Sequence, residues 1–372
     1  MRLFKCTACG NVVHFENDHC EACQHRLGYI APEFRMHALA PAPNGGWTAL
    51  GDAGRLFRFC ENADGDACNW LLPDTSPDRY CAACRHNRTV PNLSDPGNML
   101  AWRRMEAAKH RLIYSLMRLA LPLPNRADDP QGGLVFDFLA DPPPHRGPKV
   151  LTGHDDGLIT LALTEADDAE RERRRSLMHE PYRTLLGHFR HEVGHFYWDR
   201  LVNTDPAALA ECRALFGDDR ADYAEALKVH YRDGAPSDWQ ASFVSSYATT
   251  HAWEDFAETW AHYLHIVDTL ETAAAFGLEM HPAVDAQLDT TIAFDPYAPG
   301  DFTRLIDAWL PLTTAMNSMN RSMGLADLYP FVLSPPVIRK LEFLHRLVHR
   351  RTAAARDIDA LPSGRDHAAA AQ

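Results

Sequence analysis

Leu185, Leu186, Phe189, Val193 and Phe196 recur at three- and four-residue steps, the spacing that lines one face of an α-helix. The pattern predicts a helix over 181–201 with a buried apolar stripe, and it aligns His188, His191 and His195 on a second stripe. Similar periodicity predicts a helix over 95–122, N-capped by Asn98 and ended by Pro122 and Pro124. Further helices are expected over 207–230, 250–272, 301–316 and 336–351. Short apolar runs at 134–138 and 157–163 read as strands, separated by a proline-rich loop at 141–148. The mixed-sign run 165–175 reads as a solvated loop or helix start, and the Ala-rich segment 352–372 as a frayed tail. These elements describe an α+β chain, mainly helical with a small sheet.

Composition adds bounds. The chain has 372 residues, 46% hydrophobic and 23% charged, which suits a globular protein of two or three domains. No run of 18 apolar residues occurs, so no membrane span is expected. The opening residues lack an apolar signal-peptide core, and a cytoplasmic location is expected. The net charge of −13 divides unevenly: residues 1–120 balance at +2 and the remainder at −15. So acidic a body repels nucleic acid, and polypeptides suit it better as partners.

Eight of the nine cysteines lie before residue 85. Without a secretion signal, such a cluster reads as metal ligands and not as disulfides. Cys6-x-x-Cys9 and Cys20-x-x-Cys23 are two knuckles with ten residues between them, matching a tetrahedral four-cysteine zinc site. Cys60, Cys68, Cys81 and Cys84 make a second, looser set. Interleaved pairing between the sets is possible on spacing alone, and His14, His19, His25 and His86 are alternative ligands. Four thiolates leave no open coordination position, so both zincs are expected to be structural, in a ribbon region over 1–95 that could also hold a protein partner. Cys212 stands apart as a buried or idle thiol.

The helix at 181–201 carries His191-Glu192-Val193-Gly194-His195, an H-E-x-x-H run. Two imidazoles four residues apart share one helix face and can bind one zinc, while the intervening glutamate can act as general base toward an activated water. In a chain with 20 histidines the run can arise by accident, so the neighbourhood of a third ligand matters. The metzincin continuation needs Gly and His where this chain has Trp198 and Leu201. Glu254 and Glu258, one helical turn apart, offer instead one carboxylate to close the site and another to orient a ligand histidine, with Asp255 competing for the second role. His251, His262 and His265 are rival third ligands.

His-Glu-Val-Gly-His followed by Glu254-Asp255-Phe256-Ala257-Glu258 resembles the gluzincin pattern of the catalytic domain of anthrax lethal factor. The resemblance implies that Glu254 is the third ligand. It further implies that Tyr247, seven residues earlier, assists catalysis; Tyr197 and Tyr263 are weaker candidates for that role. The whole chain apart from its tail resembles a bacterial family of zinc-binding metallopeptidases with a zinc-ribbon front end. Residues 81–89, 157–161 and 188–195 carry that likeness. The implied fold is a zincin-like peptidase domain over 96–351 behind the ribbon region. The implied activity is peptide-bond hydrolysis with one catalytic and two structural zincs. In that mechanism Glu192 moves the proton, Tyr247 donates to the oxyanion, and the strand at 157–163 forms the edge that pairs with substrate. Gly194 is expected to allow close helix packing. The alternatives are a ribbon-based binding or adaptor protein with an inactive zincin domain, and a zinc amidase acting on a non-protein amide.

Overall fold

The computed structural model describes residues 2–43, 45–51, 54–142, 147–177 and 184–359. Its first element is the hairpin of β1 (Phe4–Lys5) and β2 (Val12–Val13), which presents Cys6 and Cys9 in its turn. Gly10 closes that turn at φ +77°, and Gln24 takes the matching left-handed conformation at φ +60° after Cys23.

An antiparallel sheet follows, which the sequence patterns did not predict. Its order is β3 (Arg26–Ile30), β4 (Arg35–Pro41), β5 (Trp47–Ala49), β6 (Leu56–Phe59) and β7 (Leu71–Pro73). Ile30, Leu39, Ala49, Phe57 and Leu71 form a small core of their own on it. Most of these strands are too short for alternation to stand out against the intervening turns.

The second sheet has the order β10-β11-β9-β8, built from β8 (Asn87–Thr89), β9 (Val135–Leu139), β10 (Gly153–Asp155) and β11 (Leu158–Ala162). β8, β9 and β11 run parallel, and β10 is antiparallel to β11. The strand expected at 157–163 is therefore interior, not an edge: β10 covers its outer side. Asp156 and Gly157 form the hairpin turn, both with positive φ, and a Cβ on Gly157 would lie 2.6 Å from the Gly132 carbonyl oxygen.

Eight helices complete the described chain: α1 (Pro96–Arg118), α2 (Asp168–Leu177), α3 (Leu185–Tyr197), α4 (Pro206–Phe216), α5 (Tyr223–Asp233), α6 (Ala252–Ala275), α7 (Phe302–Ser322) and α8 (Pro335–Asp359). A short hairpin, β12 (Glu279–Met280) with β13 (Thr290–Thr291), precedes α7. The N-cap of α1 is Asp95, not Asn98: its carboxylate accepts from the Gly97 amide at 2.8 Å, and Pro96 fills the first helical position. The helix expected over 207–230 is two helices, interrupted at Gly217 (φ +105°) and restarted by the Asp222 cap. The run at 165–175 is not wholly solvated either, since Glu165 is buried with its carboxylate 2.9 Å from His188 Nδ1. Residues 143–146 of the proline loop, 181–183 of the predicted helix and 360–372 of the tail lie outside the described residues. α8 continues past the expected boundary at Arg351 to Asp359.

The packing of α3 against α6 positions the site. Gly194 faces α6 where a Cβ would lie 3.0 Å from Ala257 Cα and 3.2 Å from Trp260 Cβ. The helices thus approach at a distance only glycine permits. Trp260 stacks on Tyr197 at 4.9 Å, burying two large aromatic surfaces beside the crossing. The N-terminal region joins the same continuous core. Phe15 and Tyr29, backed by Trp70, pack against Tyr114 of α1, whose hydroxyl donates to Glu271 of α6 at 2.8 Å. No helix of the described residues is long and apolar enough to cross a membrane.

Candidate metal centre

α3 begins at Thr184, whose hydroxyl accepts from the Gly187 amide at 3.0 Å, and this cap sets the helix phase. The phase turns Phe189 and Val193 inward and His191 and His195 toward α6. There Glu254, in the first turn of α6, meets both imidazoles. Its Oε2 lies 2.9 Å from His191 Nε2 and 3.6 Å from His195 Nε2. That oxygen is buried, yet it makes no hydrogen bond. The three atoms are close without being aligned for donation, as expected of groups aimed at a common point. Ligand atoms about 2.1 Å from a tetrahedral zinc lie roughly 3.4 Å apart, so the observed separations bracket what one ion requires.

The surrounding contacts hold these groups in place. Glu258 Oε1 accepts from His191 Nδ1 at 2.6 Å, and Ser245 Oγ donates to Glu258 Oε2 at 2.7 Å. The first contact fixes the His191 tautomer so that Nε2 faces the site. Tyr223 donates to Glu254 Oε1 at 2.6 Å, leaving Oε2 free for the focus. The Trp253 ring lies 3.8 Å from that of His195 and restrains its plane. Burial opposes charge throughout, but the two histidines hold Glu254 well below the usual carboxylate range, and Glu254 with Glu258 raises His191 well above the ordinary imidazole value. Two imidazole nitrogens and one carboxylate oxygen within 4.8 Å of one another form a donor set that suits a divalent cation.

Glu192 projects beside this focus and makes no hydrogen bond or ion pair with the described residues. Burial pushes its carboxyl up to about 7, with Glu254 adding to the effect and His191 opposing it. Tyr247 opens a short 3-10 turn, with its ring 6.0 Å from that of His191. Burial, then Glu254 and Tyr223, push its phenol well above its ordinary value, so it stays a donor.

The rival residues are occupied elsewhere. His251 caps α6 and contacts the Ala221 carbonyl at 3.1 Å. His262 binds Tyr329 at 2.7 Å, and His265 binds Arg190 at 2.6 Å. Asp255 is buried in an ion pair with Lys340 at 2.6 Å, so it does not orient a site histidine. Tyr197 donates to the Pro122 carbonyl, and Tyr263 pairs with His345. Sequence reasoning missed Tyr223 and Ser245. Tyr223 lay within what read as one long helix, and only the break at Gly217 turns it toward Glu254.

The cysteines gather as two separate sets, Cys6, Cys9, Cys20 and Cys23, and Cys60, Cys68, Cys81 and Cys84, without interleaving and without disulfides. Sulfur separations of 3.6 Å for Cys6–Cys23 and 3.7 Å for Cys9–Cys20 and Cys68–Cys81 approach the roughly 3.8 Å edge of a tetrahedron with Zn–S bonds of about 2.3 Å. Of the alternative ligands, His25 lies 3.3 Å from Cys23 Sγ, while His86 is turned to the Leu134 carbonyl at 2.8 Å.

This arrangement is a zinc-binding peptidase-like domain behind a cysteine-rich zinc ribbon. The family model described as "Putative zinc-binding metallo-peptidase" matches residues 98–347, and that of a zinc-ribbon domain matches residues 3–95. The chain belongs to this metallopeptidase family. It is 43% identical over 348 residues to an uncharacterized protein of Mycobacterium tuberculosis and to one of Mycobacterium bovis, each match covering 94% of this chain and 95% of the relative. No solved structure matches the chain.

Proposed function

We propose that the protein is a metallopeptidase of the gluzincin type, similar in its site to anthrax lethal factor, with His191, His195 and Glu254 holding a catalytic zinc. The carrying observation is the buried Glu254 Oε2, which lies 2.9 and 3.6 Å from the two Nε2 atoms without an aligned hydrogen bond to either. When bound there, zinc supplies a Lewis acid that lowers the pKa of a water and polarises the scissile carbonyl. Glu192 takes the proton of the attacking water and returns it to the leaving amine, a role its freedom from other partners and its raised pKa support. Tyr247 donates a hydrogen bond to the oxyanion as charge develops. Glu258 orients His191, and Tyr223 orients Glu254.

An extended peptide pairs with β10, the edge strand of the sheet nearer the site, whose His154 ring lies 6.0 Å from that of His195. The two cysteine sets each hold one structural zinc, bringing the total to three. The test uses the zinc-loaded full chain on a quenched-fluorescent degenerate peptide library. Glu192→Gln is expected to keep its zinc and lose at least about a hundredfold in turnover. Wild-type rates in that variant, or no peptide turnover by the zinc-loaded wild type, would overturn the reading.

A further inference from the structure

α1 sends three consecutive-face residues, Glu106, Lys109 and His110, into the second cysteine cluster, and all three are buried. Full burial of a lysine and a glutamate in a small interface is costly unless their charges are compensated. Lys109 Nζ lies 2.8 Å from Glu106 Oε2, and Glu106 Oε1 also accepts from Asn87 at 2.7 Å. His110 Nδ1 donates to the Glu106 carbonyl at 2.6 Å, which commits that nitrogen. Its Nε2 is therefore the atom presented to the sulfurs, at 3.2 Å from Cys68, 3.6 Å from Cys84 and 4.0 Å from Cys81. Those three sulfurs form one face of the cluster, with Cys60 at the opposite corner. The Trp70 ring, 5.1 Å away, holds the imidazole over that face.

We propose that the His110 imidazole caps the Cys68–Cys81–Cys84 face from outside the four-sulfur set, making this zinc a rivet between the ribbon region and α1. The inference rests on the reading that the cluster holds zinc. Four thiolates around a divalent cation keep two net negative charges, and Glu106 adds a third. The Lys109 ammonium, paired with Glu106, offsets one of these, so the buried charges on α1 are placed where the cluster's charge is. A metal in the cluster then braces α1, which packs on both the catalytic helix α3 and, through Tyr114, on α6.

The test compares wild type, His110→Ala and His110→Gln as full-length zinc-loaded proteins. Readouts are zinc content and the rate of zinc transfer to a chromogenic chelator. His110→Ala is expected to keep the full zinc complement but surrender one zinc about tenfold faster, with partial rescue by the polar side chain of His110→Gln, which can cover the same face. The absorption spectrum of cobalt-substituted wild type, which needs no variant to fold, should show four-sulfur coordination at both cysteine sets. Unchanged release in His110→Ala overturns the inference alone. A nitrogen-containing cobalt spectrum, or outright loss of one zinc, makes His110 a ligand and overturns the capping role. Cysteines that take up no metal overturn the zinc reading and this inference with it.

Discussion

Gly194→Ala adds one methyl group at the α3–α6 crossing. The new Cβ would lie 3.0 Å from Ala257 Cα, 3.2 Å from Trp260 Cβ and 3.3 Å from Trp260 Cγ. The closest of these atoms is backbone, and the tryptophan is fully buried and stacked on Tyr197, so neither yields by a rotamer change. Two effects compete. Replacing glycine by alanine inside a helix favours folding by about 1 kcal/mol. Overpacking a dense core costs about 1–3 kcal/mol, and a rigid backbone neighbour places this site toward the upper end. The net expectation is a loss of about 1–2 kcal/mol, or a fall in Tm of roughly 2–8 °C for a domain of this size. The same separation carries His191 and His195 away from Glu254 by a few tenths of an ångström, so zinc affinity should fall with stability. Thermal unfolding of the zinc-loaded and chelator-treated proteins measures both. A Tm at or above wild type with unchanged zinc retention would refute the claim that glycine sets this helix spacing.

Glu254→Ala should lower zinc content by one ion per chain and abolish turnover, as measured by elemental analysis; unchanged content would remove Glu254 as a ligand. Glu258→Gln should weaken the zinc of this site by about 10–100-fold, because the His191 Nδ1 contact loses its charge assistance; competition with a metal buffer reads this directly. Tyr223→Phe removes only the hydroxyl on Glu254 Oε1 and should raise the zinc dissociation rate while leaving Tm of the metal-free chain nearly unchanged. Asp199 is pushed up to about 6 by burial, then by Asp156, with Arg200 opposing. Its folded pKa exceeds the unfolded value, so its contribution to stability is complete below pH of about 4 and lost as pH rises through 6. Asp199→Asn should therefore raise Tm at pH 8 and leave it nearly unchanged at pH 4; equal shifts at both would refute the assignment.

The sequence by itself determined what depends on local spacing. A period of three to four residues makes His191 and His195 neighbours on any helix that buries Phe189 and Val193, and it makes Glu254 and Glu258 neighbours one turn apart. Cysteines with two residues between them, as in Cys6/Cys9, Cys20/Cys23 and Cys81/Cys84, likewise sit in one tight turn, so six of the eight thiolates were legible as pairs, with Cys60 and Cys68 joined to them by proximity in the chain. The Asp156-Gly157 hairpin was also written in the chain, but the apolar run around it read as a strand beginning at Gly157. That one misplaced turn moved the sheet edge from β10 to β11.

Tertiary structure decided everything that joins distant segments. Spacing within α6 cannot tell Glu254, Asp255 and His262 apart as partners of α3. The crossing at Gly194 turns Glu254 and Glu258 toward the histidines, while Asp255 faces Lys340 and His262 faces Tyr329. The break at Gly217 delivers Tyr223, and the folding of the ribbon region onto α1 delivers His110 to the second cluster. Each of these contacts spans more than thirty residues, and its geometry is set by close packing between helices that local periodicity does not encode.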